Sequence, residues 1–134
     1  MDYKDIYILG IGGSGMSSIG KYLKQKGLNL IGYDQRKSYI TNLLKQDGIN
    51  VVFSEFDIPY DKNNLYIHSS AIPIDSEKFS KFHDKENVIS RPEFLQNLSN
   101  ENKIIGITGT HGKTSTTALL SHIFHFNNVN AVSY

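Results

Sequence analysis

A glycine-rich hexapeptide at residues 10–15 directly follows the short apolar run Ile6–Leu9. Its glycines match the pattern G-x-G-x-x-G, and Met16, Ile19 and Leu23 come after it at the spacing of a helix with one buried stripe. This order of strand, loop and helix suits an anion, because it presents backbone N–H groups at the positive end of the helix dipole. We therefore predict that the chain opens with a Rossmann-type nucleotide unit.

A second strand is predicted at residues 28–33, after Gly27, which stands where a helix commonly ends. The strand finishes at Asp34, about 20 residues after the loop, where this fold often has a carboxylate that accepts from ribose hydroxyls. Together these elements predict nucleotide or pyrophosphate binding. The alternatives are a plain tight turn for the glycines and a solvated strand-end acid for Asp34.

Strands and helices continue to alternate up to residue 99. Two more helices are predicted, one capped by Ser38 and one that begins with a capping box of Ser90 and Glu93. Three more strands are predicted at residues 49–53, 65–68 and 87–90. A short helix after Asp75 is predicted to bury Phe79 and Phe82. The predicted fold class is α/β, with a Rossmann-like, mostly parallel sheet and helices on both faces.

Polar residues follow the last two of these strands. Ser69 and Ser70 come after the fourth strand and Arg91 after the fifth. Ligands of open α/β sheets lie outside the carboxyl ends of the strands, so we expect these residues to share a rim with Asp34. A cap or turn is the alternative for the serines. A solvated charge is the alternative for Arg91, whose position suits an anionic substrate.

A second glycine loop, residues 109–115, follows the apolar run 104–108 and precedes a helical pattern. Its G-x-x-G-K-T form is shorter than the full P-loop pattern, because Ile107 stands where the first glycine would be. In this setting we predict that Lys113 reaches the β- and γ-phosphates and that the Thr114 hydroxyl binds Mg²⁺; the alternative is a turn with a solvated lysine. The predicted phosphate-binding residues are Gly109, Thr110, His111, Gly112, Lys113, Thr114 and Ser115.

An almost wholly polar stretch at residues 97–103 predicts a domain boundary between the two loops. Residues 1–99 would form the Rossmann-like domain, and residues 100–134 the start of an ATP-binding domain. The second part contains one predicted βαβ unit of a P-loop type, with strands at 104–108 and 130–134. A lone unit of this size buries too little surface to be stable, so we expect the second domain to be incomplete.

The composition of the 134 residues excludes several classes of protein. A formal net charge of +1 gives no basic patch for nucleic acid, and the absence of cysteine excludes disulfides. No apolar run approaches the roughly 18 residues of a membrane span, so the expected location is the cytoplasm. His122 and His125 are expected to be ordinary helix residues rather than metal ligands, because no cysteine joins them.

Two nucleotide loops on successive α/β units resemble the Mur ligases of cell-wall synthesis. The resemblance covers nearly the whole chain and rests on residues 10–17, on residues 68–72, on Arg91 with Leu95, and on residues 109–115. His111 is typical of two branches, one adding L-alanine and one adding a recycled tripeptide to UDP-N-acetylmuramate. Residues 16–18 are more similar to the alanine branch. The chain departs from the family in lacking the rest of the ATPase domain and the amino-acid domain.

The resemblance implies that the first loop holds the pyrophosphate of UDP-N-acetylmuramate and that the second holds ATP. It also implies that the γ-phosphate passes to the lactyl carboxylate of the sugar, giving an acyl phosphate that the alanine amine attacks. Lys113 and a Thr114-bound Mg²⁺ would neutralise the shifting charge. The residues implied in binding the UDP-sugar are Gly12, Gly13, Ser14, Gly15, Met16, Ser17, Asp34, Ser69, Ser70 and Arg91.

Two other hypotheses come from different classes of protein. The first loop with Asp34 also suits an NAD-type dinucleotide-binding module, although that leaves residues 109–115 without a role. A UDP-binding module without catalysis is the other alternative. The sequence leaves the oligomeric state open.

Overall fold

The computed structural model describes residues 3–129, 131 and 133. The strands are β1 (Ile6–Leu9), β2 (Leu30–Tyr33), β3 (Asn50–Val52), β4 (Leu65–His68) and β5 (Val88–Ser90). They form one parallel sheet in the order β3-β2-β1-β4-β5. The helices are α1 (Ser14–Gln25), α2 (Tyr39–Gln46), α3 (Arg91–Glu101) and α4 (Lys113–Phe126), with 3-10 helices at Glu55–Asp57 and Glu77–Phe82. The predicted Rossmann-like α/β sheet is confirmed, and every strand pair in it is parallel.

One face of the sheet is covered by α1, α2 and α3, which share a single apolar cluster with the strands. Met16, Ile19 and Leu23 are buried as their helical spacing predicts, and Phe94 and Leu98 of α3 join the same cluster. Burial of such side chains stabilises the fold by about 1.5–3 kcal/mol each relative to exposure. The cluster therefore fixes the start of α1, and with it the glycine loop, against the sheet.

The opposite face is packed with aromatic side chains. Tyr7 and Tyr66, on neighbouring strands, stack with their ring centroids 5.0 Å apart. Phe79 and Phe82 are buried as predicted, but the helix that carries them is a 3-10 helix with non-helical backbone angles at Phe79. The short helix predicted after Asp75 thus covers this face as a 3-10 segment.

Local capping signals are confirmed at both predicted positions. The Ser38 side chain accepts from the Thr41 amide and opens α2, which ends before Gly48 at a positive φ of 77°. Ser90 and Glu93 form the predicted capping box of α3. α3 continues past residue 99 to Glu101, so the position of the domain boundary stays a prediction.

The prediction of a strand at residues 104–108 is wrong. These residues have no regular secondary structure, and the side chains of Ile104 and Ile105 are 53% and 60% exposed. A strand needs a hydrogen-bonding neighbour, and none of the five described strands pairs with this segment. The helix after it does form, as α4, but none of its residues is buried. The strand predicted at residues 130–134 falls largely outside the described residues.

Among the described residues, no helix combines the length and the apolar character needed to cross a membrane.

Candidate functional site

The carboxyl ends of four strands lie side by side. Leu9 pairs with Tyr33 on one side and with His68 on the other, and His68 pairs with Ser90. The sheet is parallel, so the residues after these strand ends emerge at one edge, which we call the rim. The residues that follow the strand ends are Gly10, Asp34, Ser69 and Arg91. The structure therefore brings the glycine loop together with the polar residues that were predicted from three other stretches of sequence.

The glycine loop leads directly into α1 at this rim. Gly13 is the N-cap residue and provides no side-chain hydrogen bond to the helix. The amides of the first turn, at Ser14, Gly15 and Met16, therefore have no intrahelical acceptor and point out of the helix end. Open amides at the positive end of a 12-residue helix can bind an anion such as a phosphate.

Asp34 lies against the loop. Its Oδ2 accepts a hydrogen bond from the Gly12 amide at 2.8 Å, and its Oδ1 accepts from the Arg36 amide at 3.1 Å. The half-buried carboxylate is thus held by backbone groups from both sides.

Arg91 lies against Gly15 from the other side of the rim. A Cβ placed on Gly15 would lie 2.6 Å from Nη1 and 2.7 Å from Cζ of Arg91, so the absence of a side chain at residue 15 makes room for the guanidinium. Arg91 is exposed, at the first turn of α3. Its charge adds to the positive end of α1, which favours an anion with more than one phosphate.

The remaining predicted residues differ in which of their polar groups face the rim and which are used in hydrogen bonds within the chain. The Ser69 hydroxyl accepts from the Ala71 amide at 3.2 Å, which is the turn role that the sequence left open, while Ser70 is exposed. Met16 is a core residue, so only its amide reaches the rim. The Ser17 hydroxyl donates to the Ser14 carbonyl at 2.8 Å inside α1.

Glu93 is the acidic residue closest in sequence to Arg91 on α3, and its carboxylate is used by the capping box. The hydroxyl and the backbone amide of Ser90 both donate to its Oε2 at 2.6 Å. These bonds lower the pKa of the Glu93 carboxyl, and the charge of His68 acts in the same direction. The Glu93 carboxylate is therefore held at the N-terminal end of α3.

The second loop is open to solvent. Gly112 has the left-handed φ of 76° at the N-cap of α4, and the Lys113 ammonium donates to the Gly109 carbonyl at 2.6 Å. Thr114 and Ser115 are exposed in the first turn, as are Thr110 and His111 before it. The loop leads into the N-terminus of α4, and its lysine is bound to the loop itself.

Two residues that position the first loop were not predicted from the sequence. Ile11 is fully buried, and a Cβ placed on Gly32 of β2 would lie 2.6 Å from Ile11 Cδ1 and 2.8 Å from its Cγ2. The gap left by Gly32 therefore receives the side chain of a loop residue. An apolar residue inside the glycine pattern, opposite a glycine in the next strand, was the available signal.

A separate cleft of about 320 Å³ lies beside β5 on the aromatic face. Of its lining residues only His68 ends a strand at the rim, and no residue of either glycine loop takes part. Asp75, Asp84 and Glu86 line it beside Lys85, which disfavours a diphosphate there. The rim is the better candidate for an anion.

Metal-ligating side chains do not form a cluster in the part of the chain that the structure describes. Within residues 3–129, no group of three or more His, Asp or Glu side chains is arranged to hold a metal ion. The Thr114 hydroxyl is the one predicted metal ligand.

The sequence is similar to curated ligases. It is 34% identical over 129 residues to a UDP-N-acetylmuramate–L-alanine ligase of Christiangramia forsetii, covering 90% of this chain and 28% of the relative. It is 35% identical over 140 residues to the enzyme of the same name from Porphyromonas gingivalis, covering 98% of this chain and 30% of the relative. The chain thus spans less than a third of the length of these relatives.

Solved structures show the same fold. A UDP-N-acetylmuramate-alanine ligase from Thermotoga maritima matches with a TM-score of 0.79 and 26% identity, over 92% of this chain and 30% of that one. A UDP-N-acetylmuramate:L-alanyl-gamma-D-glutamyl-meso-diaminopimelate ligase from Neisseria meningitides matches with a TM-score of 0.77 and 25% identity, over 93% and 40%. A family model described as "Mur ligase family, catalytic domain" matches residues 5–103, which include the whole rim. The chain belongs to the Mur ligase family.

Proposed function

We propose that this chain comprises the UDP-sugar-binding part and the start of the ATP-binding part of an ATP-dependent ligase that joins L-alanine to UDP-N-acetylmuramate in peptidoglycan synthesis, in the cytoplasm. The observation that carries the proposal is the open first turn of α1 beside the Arg91 guanidinium at the rim. Family membership and the names of the relatives support this substrate class. We assign residues 1–99 to the UDP-sugar-binding part and residues 100–134 to the start of the ATP-binding part.

The diphosphate would lie over the first turn of α1. Amides in this turn would donate to one phosphate and Arg91 would pair with the other, because a guanidinium can donate two parallel hydrogen bonds to phosphate oxygens. Ser69 and Ser70 would lie toward the uridine.

The second loop would hold the phosphates of ATP. Its glycines leave the backbone accessible, and Lys113 would exchange the Gly109 carbonyl for a phosphate oxygen. Thr114 would provide one ligand to Mg²⁺. ATP would supply the phosphoryl group that activates the sugar carboxylate.

Two alternatives remain to be separated from this proposal. The tripeptide branch is supported by the match to the Neisseria enzyme, whereas the curated relatives with 34% and 35% identity carry the alanine name. The NAD-type module is supported by the glycine pattern and Asp34 alone. It predicts that NADH binds more tightly than UDP compounds.

Replacing Gly13 by valine tests the assignment of the diphosphate. A Cβ at residue 13 would meet only the Gly10 carbonyl, at an ordinary 3.5 Å, and the extended backbone at φ −71° accepts valine. The variant should therefore fold normally while its side chain covers the open helix end. We expect the affinity for UDP-N-acetylmuramate, measured by isothermal titration calorimetry, to fall about tenfold or more.

Gln25→Val is the matched control, because it adds the same side chain to the exposed far end of α1. It should leave the affinity unchanged. Equal affinities for wild type and Gly13→Val in folded protein would overturn the assignment. Tighter binding of NADH than of UDP-N-acetylmuramate would favour the dinucleotide module instead.

A further inference from the structure

The backbone amides of the glycine loop are directed to the end of β2. The amides of Gly10 and Ile11 both donate to the Tyr33 carbonyl, at 2.7 and 3.0 Å. The Gly12 amide donates to Asp34 Oδ2 at 2.8 Å, and the Gly13 amide returns to the Gly10 carbonyl at 3.1 Å. All four loop amides before α1 are therefore used within the chain. Only the amides of the first turn of α1 are left for a ligand.

The absence of a side chain at Gly12 leaves room for the contact between its amide and Asp34. A Cβ at residue 12 would lie 2.7 Å from Asp34 Oδ2 and 3.3 Å from Thr41 Cγ2. Any larger residue would push the carboxylate away from the amide that it accepts. The second glycine of the pattern is thus explained by Asp34, without a ligand.

Both oxygens of Asp34 already accept from backbone amides, since Arg36 donates to Oδ1 at 3.1 Å. The carboxylate consequently connects the turn after β2 with the loop after β1. A carboxylate that accepts from a backbone amide makes a charge-assisted hydrogen bond, which is stronger than a neutral one. It holds the loop in one arrangement before any ligand arrives, which lowers the ordering cost of binding.

We propose that Asp34 is a positioning residue of the diphosphate site, acting through the Gly12 amide to aim the first turn of α1, and that it is not a ligand of the ribose. The proposal rests on the proposed function, because it takes UDP as the bound group. It departs from the role that strand-end acids have in dinucleotide-binding units, where the carboxylate accepts from ribose hydroxyls. The two roles predict different effects of removing the carboxylate. A positioning role predicts weaker binding of UDP whether or not the ribose hydroxyls are present, whereas a ribose ligand predicts a loss that depends on those hydroxyls.

The first test needs no ligand. Amide hydrogen exchange of the 134-residue chain, followed by NMR, should show the Gly12 amide protected in the wild type. In Asp34→Ala its exchange should be about tenfold faster, because the acceptor is gone. Asp34→Asn, which keeps one oxygen acceptor, should retain most of the protection. Equal exchange in the wild type and in a folded Asp34→Ala variant would overturn the proposal.

The second test uses UDP, 2′-deoxy-UDP and 3′-deoxy-UDP in calorimetric titrations of wild type, Asp34→Ala and Asp34→Asn. We expect Asp34→Ala to weaken all three by the same factor of about ten, within about twofold, since the hydroxyls and the carboxylate act independently. If a deoxy compound loses affinity in the wild type and no further affinity in Asp34→Ala, the carboxylate binds the ribose and the proposal is wrong.

Asp47→Ala is the charge-matched control, because Asp47 caps the end of α2 away from the rim and pairs with Lys21. It should leave all three affinities unchanged. Failure of the wild-type chain to bind UDP at all would refute the proposed function, whereas the exchange experiment still decides the contact between Asp34 and Gly12. Should Asp34→Ala not fold, Asp34→Asn alone decides: it should bind UDP and both deoxy compounds with proportional losses, and a loss restricted to UDP would contradict the positioning role.

Discussion

Ile11 shows how a single side chain sets the shape of a binding loop. It is fully buried although it lies between two glycines of the loop. Its methyl groups occupy the space above Gly32 of β2, and its Cδ1 would lie 3.3 Å from a Cβ on Gly20 of α1. The loop is therefore fixed by core packing between a strand and a helix.

Gly32→Ala tests this packing. The added methyl group would lie within 3.2 Å of three carbon atoms of Ile11, including its Cβ, which cannot rotate away. Overpacking of this kind costs about 1–3 kcal/mol, so the free energy of unfolding in urea should fall by that amount. Gly106→Ala is the control, because no atom lies within 4 Å of the Cβ that it adds. Equal stability of both variants would show that Ile11 can move aside.

At the scale of elements, the N-terminal end of α3 is defined by three residues. Ser90 caps the helix, a proline occupies the first turn, and the Glu93 carboxylate accepts a hydrogen bond from the Ser90 amide. These contacts place Arg91 at the rim in a fixed backbone position. The element that carries a candidate ligand is thus held by interactions within four residues of sequence.

The capping box should give stability a dependence on pH. Because the pKa of Glu93 is below its ordinary 4.5 in the folded chain, its ionised form contributes stability above that value. The contribution is lost as the pH falls through the lowered pKa. Glu93→Gln keeps the hydrogen-bonding pattern without the charge, so we expect its unfolding free energy to fall less steeply below pH 4.5 than that of wild type. Glu86→Gln, at an exposed carboxylate outside the box, is the comparison; identical slopes for the two variants would contradict the prediction.

At the scale of the whole molecule, the two glycine loops have very different surroundings. The first is packed between the sheet and α1, whereas the helix after the second has no buried residue. Side chains such as Leu119 and Phe126 are 62% and 80% exposed. A loop without packed neighbours is expected to open on a fast timescale, which weakens any contact with a nucleotide.

We therefore expect this chain of 134 residues to bind the UDP-sugar without turning over ATP. Incubation with UDP-N-acetylmuramate, L-alanine, ATP and Mg²⁺ should release no more phosphate than the Lys113→Ala variant does. The reason is that residues 3–129 bring no cluster of carboxylates to the second loop, and its lysine is bound to the Gly109 carbonyl. Release above that control would show that the chain contains more of the catalytic site than we assign to it.

The sequence by itself determined the features that depend on a few neighbouring residues. The caps at Ser38 and Ser90 were predicted because their hydrogen bonds join residues close along the chain, and the glycine loop after β1 was predicted from its spacing of glycines. The burial of the stripe on α1 was predicted for the same reason, since helical spacing alone selects the face. The arrival of Asp34 and Arg91 at one rim followed from the rule that parallel strands share their carboxyl ends.

Only the tertiary structure decided what these residues contact. The acceptor of the Gly12 amide is Asp34, and the group that needs the space above Gly15 is Arg91, which is distant in sequence. The strand order places β4 beside β1 and β5 beside β4, and no local signal specifies which strand neighbours which. Residues 104–108 have the composition of a strand, but none of the five described strands pairs with them. A strand is stabilised by its neighbours rather than by its own residues alone.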